Sequence, residues 1–153
     1  MDGTPRIKTG LDTNLLLGLF FDEDPNLALA TEKVLQNPRL EICLPTLVGV
    51  ELIATPRMRL DVQRPPIINE KIAMTQLFLL GCGATWLDLD FISMTLAQEL
   101  ATNYLLKPAD AAILACCIEA GCKYLLTNDS QLIKNTASLS AIEVRSPLGV
   151  EQI

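Results

Sequence analysis

Four carboxylates interrupt otherwise apolar stretches of this 153-residue sequence. They are Asp12, Glu51, Asp110 and Asp129, and they lie far apart along the chain. A lone carboxylate in apolar surroundings is costly unless a positive charge compensates it. No Lys or Arg lies within four positions of Glu51, and the sequence contains no histidine. A divalent cation held by several carboxylates is the simplest compensator, which predicts metal-assisted chemistry on phosphate.

Each of the four acids also has a purely structural interpretation. Asp12 and Asp129 follow strand-like segments, where Asp is a favoured helix N-cap. Asp110 can be a first-turn acid that the helix dipole stabilises. Glu51 fits its alternative, an ion pair with a distant Arg, least well, because it lies mid-helix between apolar residues. The four acids together, and no single one, therefore indicate a metal site.

Alternating strand-like and helical segments would bring these acids together. Strands are predicted at residues 7–11, 40–44, 84–89, 123–127 and 141–144. Helices are predicted near residues 14–21, 25–36, 46–54, 68–80, 92–103 and 108–120, with a short one after Asp129. Such alternation predicts an α/β fold, a three-layer α/β/α sandwich with a mainly parallel central sheet of about five strands. We expect one domain over residues 1–153.

The predicted sheet gives the acids a common edge. Ligands of open parallel sheets bind outside the carboxyl ends of the strands. Asp12 and Asp129 come just after the first and fourth strands. Asp110 and Glu51 each share a helical stripe with apolar residues three and four positions away, so both should point inward. All four acids are thus predicted to approach the same edge of the sheet.

Four short motifs follow one another along the chain: Leu11-Asp12-Thr13-Asn14, the apolar helix bearing Glu51, Asp110-Ala111-Ala112-Ile113-Leu114-Ala115 and Leu126-Thr127-Asn128-Asp129. Together they resemble PIN domains, which include the VapC-type toxins of bacterial toxin–antitoxin pairs. Their order, spacing and strand–helix setting agree over almost the whole chain. Each motif is short, so the specificity of the resemblance lies in the set.

The resemblance implies an endoribonuclease that cleaves RNA phosphodiester bonds with a metal-activated water. Asp12, Glu51, Asp110 and Asp129 would be the catalytic and metal-binding residues, holding Mg²⁺ or Mn²⁺. Asn14 and Thr127 would support that site, and Asn128 is assigned no role. An antitoxin protein is the implied partner.

Two other functions stay open at this point. One is a phosphatase of the haloacid dehalogenase class, in which a strand-end Asp attacks phosphorus. That class needs a second Asp two positions after the nucleophile, and this sequence has Asn14 there. The other is a PIN-like fold that binds without turnover. The absence of histidine excludes His-dependent nucleases and Ser-His-Asp hydrolases.

Basic residues are few but locally concentrated. The chain has 12 basic and 18 acidic residues, a net charge of −6. Four of the basic residues, Arg57, Arg59, Arg64 and Lys71, fall in one short segment after Glu51. A local patch can steer a phosphate chain even when the whole domain is acidic. We expect Arg57, Arg59 and Lys71 to contact the RNA backbone, the alternative being a solvated loop.

Composition also bears on compartment and assembly. Five cysteines without a C-x-x-C pair, and no secretory signal, predict reduced thiols that pack in the core of a cytoplasmic protein. No apolar stretch reaches the roughly 18 residues that a membrane span needs. Half of the residues are apolar, which predicts self-association as a homo-oligomer, most simply a dimer.

Overall fold

Five short strands form the centre of the molecule. The computed structural model describes residues 3–21, 23–59 and 70–150. The strands are β1 (Ile7–Leu11), β2 (Leu40–Pro45), β3 (Thr85–Leu87), β4 (Tyr124–Leu126) and β5 (Glu143–Arg145). They pair in the order β3-β2-β1-β4-β5, and each pairing is parallel. The predicted α/β fold with a parallel sheet of five strands is confirmed.

Helices connect the strands. Within the described ranges they are α1 (Thr13–Phe21), α2 (Pro25–Gln36), α3 (Thr46–Ala54), α4 (Pro56–Arg59), α5 (Glu70–Gly81), α6 (Phe91–Tyr104), α7 (Pro108–Glu119) and α8 (Ser130–Asn135). Parallel strands require such crossovers, because the chain must return to the same end of the sheet. The helix predicted over residues 68–80 corresponds to α5, and its first two residues, 68 and 69, lie outside the described residues.

Local sequence explains where α2 and α6 begin. Asp24 caps α2 by accepting from the backbone N–H groups of Asn26 and Leu27, and Pro25 occupies the first helical position. Asp90 and Ser93 form a reciprocal capping box, so α6 begins at Phe91, one residue before the predicted start. β3 is shorter than predicted because it is an edge strand and pairs only with β2.

The core lies where α7 packs on the sheet. Residues 111–117 of α7 are all buried, as are Leu11, Leu44 and Leu125 of the central strands. A Cβ at Gly10 of β1 would overlap the Sγ of Cys117, so glycine lets α7 approach the sheet closely. This close approach holds the first turn of α7, which carries Asp110, against the edge of the sheet.

The cysteines pack as predicted from the sequence. All five thiols are free; Cys82 is half-buried, and the other four are buried. Hydrogen bonding to Cys117, together with burial, raises the pKa of the Cys122 thiol to about 12, so it stays protonated at neutral pH. Within the described part of the chain, no helix is both long and apolar enough to cross a membrane.

Candidate active site

One cleft at the carboxyl edge of the sheet receives all four acids. Asp12 follows β1 directly, and its N–H donates to Leu126 O of the neighbouring β4 at 2.9 Å. Asp129 lies three residues beyond the end of β4, while α3 contributes Glu51 and α7 contributes Asp110. The cleft has a volume of about 420 Å³. Its lining is formed by Asp12, Thr13, Asn14, Leu17, Glu51, Ala54, Thr55, Asp110 and Asp129.

Asp12 is the most firmly held of the four carboxylates. It is 6% exposed, and its Oδ1 accepts from the Thr13 N–H at 2.7 Å. Its Oδ2 accepts from Thr127 Oγ1 at 2.7 Å and from Asn14 Nδ2 at 3.3 Å. Burial raises the pKa of Asp12, although the hydrogen bonds from Thr127 and Thr13 partly offset that effect. Asp12 therefore has a defined orientation towards the cleft.

Thr127 joins the ends of β1 and β4 through one buried hydroxyl. It is 0% exposed, and besides donating to Asp12 it accepts from Asn14 Nδ2 at 3.2 Å and from the Asp129 N–H at 3.0 Å. Asn14 extends the network, because its Oδ1 accepts from the Asn128 N–H at 3.1 Å. The structure thus brings both predicted supporting residues, Asn14 and Thr127, into contact with Asp12.

Asp129 combines a structural position with a place in the cleft. Its Oδ1 accepts from the N–H groups of Gln131 and Leu132 at 2.9 and 3.0 Å, so it is the N-cap of α8. The capping alternative predicted from the sequence is therefore present. Its other oxygen, Oδ2, has no hydrogen-bond partner among residues 3–21, 23–59 and 70–150, and the side chain still lines the cleft.

Glu51 is held by a residue that sequence reasoning missed. Thr13 Oγ1 donates to Glu51 Oε1 at 2.8 Å, and Thr13 is 7% exposed. No Lys or Arg in the described part of the chain forms an ion pair with Glu51, so the distant-Arg alternative is not observed. One sequence signal could have identified Thr13. It is a hydroxyl residue in the first turn of a helix, directly after an acid that follows a strand.

Asp110 occupies the first turn of α7 with its carboxylate unengaged. No hydrogen-bond donor in the described ranges contacts it, and it is half-buried. Burial raises the pKa of Asp110, the charges of Asp12 and Asp129 raise it further, and Lys107 acts in the opposite direction. The first-turn position predicted from the sequence is correct, and the side chain lines the cleft as well.

The donor set fits a hard divalent cation. Within residues 3–21, 23–59 and 70–150, four carboxylates and no basic side chain line the cleft. Burial, and after it the neighbouring carboxylates, raise the pKa of Asp12 and of Asp110 and so disfavour their charged forms. Among the described residues, however, no three Asp, Glu, Cys or His side chains already stand together in ligating geometry. Mg²⁺ commonly uses only one or two carboxylates and keeps several water ligands, so this arrangement suits Mg²⁺ or Mn²⁺ better than a metal needing a closed protein cage.

The predicted backbone-binding residues lie beside the cleft rather than in it. Arg57 and Lys71 both approach the ring of Phe21, at 4.4 and 4.3 Å from its centroid, and Arg57 also pairs with Glu23. Arg59 is exposed at the end of α4. The fourth basic residue of the segment, at position 64, lies outside the described residues. One aromatic ring therefore gathers two of the three cations near the cleft.

A single family match identifies the family, because it covers most of the chain. The sequence profile of the PIN domain matches residues 11–138, which is most of the chain and includes all four acids. The chain belongs to the PIN domain family. PIN domains are nucleases, and the family predicted from the sequence is confirmed.

Solved structures share the fold of this PIN domain at low sequence identity. VapBC2 from Rickettsia felis, bound to a DNA fragment from its promoter, has a TM-score of 0.65 and 16% identity, over 92% of this chain and 98% of that chain. A toxin–antitoxin complex from Klebsiella pneumoniae has a TM-score of 0.66 and 19% identity, over 91% and 97%. FitAcB from Neisseria gonorrhoeae has a TM-score of 0.62 and 15% identity, over 92% and 99%. No curated protein matches the chain.

Proposed function

We propose that this PIN domain is a Mg²⁺- or Mn²⁺-dependent endoribonuclease and the toxin of a cytoplasmic toxin–antitoxin pair. The observation that carries the proposal is the convergence of Asp12, Glu51, Asp110 and Asp129, from separate elements, on a cleft whose lining contains no basic side chain among the described residues. Such a cleft repels anions until a cation occupies it. A bound divalent cation lowers the pKa of a coordinated water and neutralises charge on the leaving oxygen.

The four acids have different surroundings, and we assign them different roles. Asp12 and Glu51 each accept from a threonine hydroxyl, which orients them as cation ligands. Asp129 gives one oxygen to the cap of α8 and keeps the other for the cleft. Asp110 has no donor in the described residues, so its carboxylate is the one best placed to accept a proton from the attacking water.

Arg57 and Lys71 supply the contacts to the RNA backbone in this proposal, with Arg59 as a third exposed cation. The Phe21 ring holds the first two near each other at the side of the cleft. Phosphate contacts position a nucleic acid strand without reading its sequence. Neutralising these cations should raise KM and weaken the salt dependence of binding. Unchanged cleavage in an Arg57→Gln/Lys71→Gln variant would count against this role.

Two protein partners complete the proposal. An antitoxin is supported by the fold shared with the Klebsiella pneumoniae toxin–antitoxin complex, and a cationic antitoxin side chain would suit the acidic cleft. A homodimer is supported by large apolar side chains exposed on α5, where Met74, Leu77 and Leu80 are 64%, 69% and 86% exposed. Light scattering of the wild type and of Leu77→Glu should give dimer and monomer masses respectively.

RNA cleavage with and without metal tests the catalytic proposal. The purified chain is incubated with a panel of single-stranded RNAs in Mg²⁺, in Mn²⁺ or in chelator. Asp110→Asn should lose at least about 100-fold in rate, since it removes the carboxylate that accepts the proton of the attacking water. Asp88→Asn, an exposed acid outside the cleft, is the matched control and should cleave like the wild type.

The other outcomes identify the alternatives. Phosphate release from a phosphomonoester, with a trapped aspartyl-phosphate at Asp12, would indicate the phosphatase. That outcome is not expected, because Asn14, at the position where the phosphatase needs its second Asp, is bonded to Asp12 and Thr127. RNA binding without cleavage or metal uptake would indicate a binding module.

A further inference from the structure

A second cavity opens beside the acidic cleft. It has a volume of about 220 Å³ and shares two lining residues, Asn14 and Leu17, with the cleft. Its lining is formed by Asn14, Leu17, Gly18, Phe21, Glu23, Asp24, Leu27, Arg57 and Asn128. Pockets for drug-sized ligands are generally larger, at roughly 300–1,000 Å³. This cavity therefore suits a group smaller than a whole nucleotide.

The cavity has apolar walls and polar groups that can read a ligand edge. Leu17, Gly18 and Leu27 contribute the apolar part. The side-chain amide of Asn128 has no partner within residues 3–21, 23–59 and 70–150, and it offers both a donor and an acceptor. Glu23 accepts from Arg57 with Oε1, while its Oε2 has no partner in the same ranges. A group with apolar faces and a hydrogen-bonding edge would match both features.

We propose that this cavity binds one unstacked nucleobase of the RNA strand, next to the phosphate that is cut, and sets the base preference of cleavage. The inference rests on the proposed ribonuclease function. Sequence-specific recognition of single-stranded RNA uses splayed bases, whose faces pack on side chains and whose edges form hydrogen bonds. In this proposal Asn128, Glu23 and Arg57, which all line the cavity, supply the edge contacts.

Asn14 couples this cavity to the catalytic cleft. Its Nδ2 donates to Asp12 Oδ2 at 3.3 Å and to Thr127 Oγ1 at 3.2 Å, while its Oδ1 accepts from the Asn128 N–H at 3.1 Å. One side chain thus fixes the position of Asn128 relative to Asp12. A base held against Asn128 therefore lies at a set distance from the catalytic acids. The cavity thus selects the nucleotide at one fixed position relative to the cleaved phosphodiester bond.

Two glycines provide a matched pair of variants. Gly18 lines the cavity, and a Cβ added there meets no atom within 4 Å, so Gly18→Leu fills the cavity without a clash at Cβ. Gly81, at the end of α5, is equally open and does not line the cavity, which makes Gly81→Leu the control. Replacing glycine in the interior of a helix raises helix propensity, so Gly18→Leu is expected to fold. Asn128→Ala removes the edge contact without filling the cavity.

Sequencing the product ends of a randomised single-stranded RNA octamer pool tests the inference. The wild type in Mg²⁺ should favour one base at a fixed offset from the cut by at least about fivefold, roughly what one hydrogen bond to the base edge contributes. Gly18→Leu and Asn128→Ala should lose that preference, and Gly81→Leu should keep it. If Gly18→Leu keeps the base preference of the wild type, the inference is overturned. This holds whether or not the variant binds a protein partner more weakly.

A metal-free binding measurement separates this inference from the proposed function. Each nucleoside 5′-monophosphate is titrated into the chelated wild type, and the amide NMR signals of Gly18 and Asn128 are followed. Saturable shifts that Gly18→Leu abolishes support the cavity even if the chain cleaves no RNA, a result that would refute only the ribonuclease. Cleavage of RNA without such shifts, and without base preference, refutes the cavity and leaves the ribonuclease standing.

Discussion

Replacing Thr127 by valine should loosen the whole acidic edge of the sheet. Valine keeps the shape of threonine but removes the hydroxyl, which is fully buried and makes three hydrogen bonds. It donates to the Asp12 carboxylate at 2.7 Å and accepts from the Asp129 N–H at 3.0 Å. Asn14 Nδ2, the third partner, keeps its bond to Asp12 at 3.3 Å. Removing the hydroxyl therefore weakens the hydrogen bonding of Asp12 and Asp129 more than that of Asn14.

The expected loss of stability follows from those bonds. A hydrogen bond to a charged group contributes roughly 1.5–3 kcal/mol, and a neutral one about 1 kcal/mol. Thr127→Val should therefore lower the free energy of unfolding by roughly 2–4 kcal/mol. For a chain of this length, that is a fall in Tm of roughly 5–15 °C. Metal affinity should fall about 10- to 100-fold, the usual effect of removing a group that orients a ligand.

The variant should also change how stability depends on pH. The pKa of Asp12 in the folded chain lies above its ordinary value of 3.8, so folding binds protons and stability is lost as the pH rises through that window. The bond from Thr127 is the largest influence lowering this pKa. Without it the pKa rises further, and the loss of stability with rising pH should extend to a higher pH.

Thermal unfolding in chelator, over a range of pH, measures both effects. Thr127→Ser keeps the hydroxyl and should lose only about 1 kcal/mol for the missing methyl group. Thr31→Val is a second control, since Thr31 is equally buried but bonds only to a carbonyl of its own helix, Leu27 O. A Thr127→Val chain as stable as Thr127→Ser, with unchanged metal affinity, would refute the role of Thr127 as the organiser of Asp12.

Three further variants test other parts of the structure. Gly10→Ala should destabilise the chain by about 1–3 kcal/mol through overlap with Cys117, and Cys117→Ala in the same chain should restore part of that loss in urea unfolding. Asp110→Asn should raise the Tm in chelator, because it removes one of the crowded charges, and should reduce the rise in Tm that Mg²⁺ produces. Phe21→Leu should raise KM for RNA about three- to tenfold with kcat unchanged, since two cations lose their shared ring; a fall in kcat alone would contradict this.

Much of the fold could be predicted because the signals are local. Apolar runs of strand length alternate with helical spacing, and Pro25, Pro108 and Gly121 mark helix ends. The start of α6 was missed by one residue because its capping box uses Ser93 in place of the Glu or Gln of the usual pattern. The predicted end of the third helix at residue 54 is correct, since Pro56 disfavours helix in the residue before it.

The candidate site could be predicted in its acids but not in their supports. Asp12, Glu51, Asp110 and Asp129 stand out as carboxylates in apolar surroundings, and any residue directly after a parallel strand lies at the ligand-binding edge. Thr13 was missed because threonine in a first helical turn is common and carries no charge. Phe21 was missed because an aromatic in an apolar run is ordinarily core.

The sequence by itself determined the elements, the parallel sheet and the set of acids, because periodicity and strand ends are properties of neighbouring residues. Only the tertiary structure decided that β1 lies beside β4, and hence that Thr127 bonds to Asp12 across 115 positions. It also decided that Asn128 and Gly18 line one cavity and that Arg57 and Lys71 meet at Phe21. Hydrophobic periodicity indicates which face of a helix or strand is buried, but not which other helix or strand packs against that face. Strand order and helix docking depend on packing of the whole chain, so contacts between distant residues follow only from the folded structure.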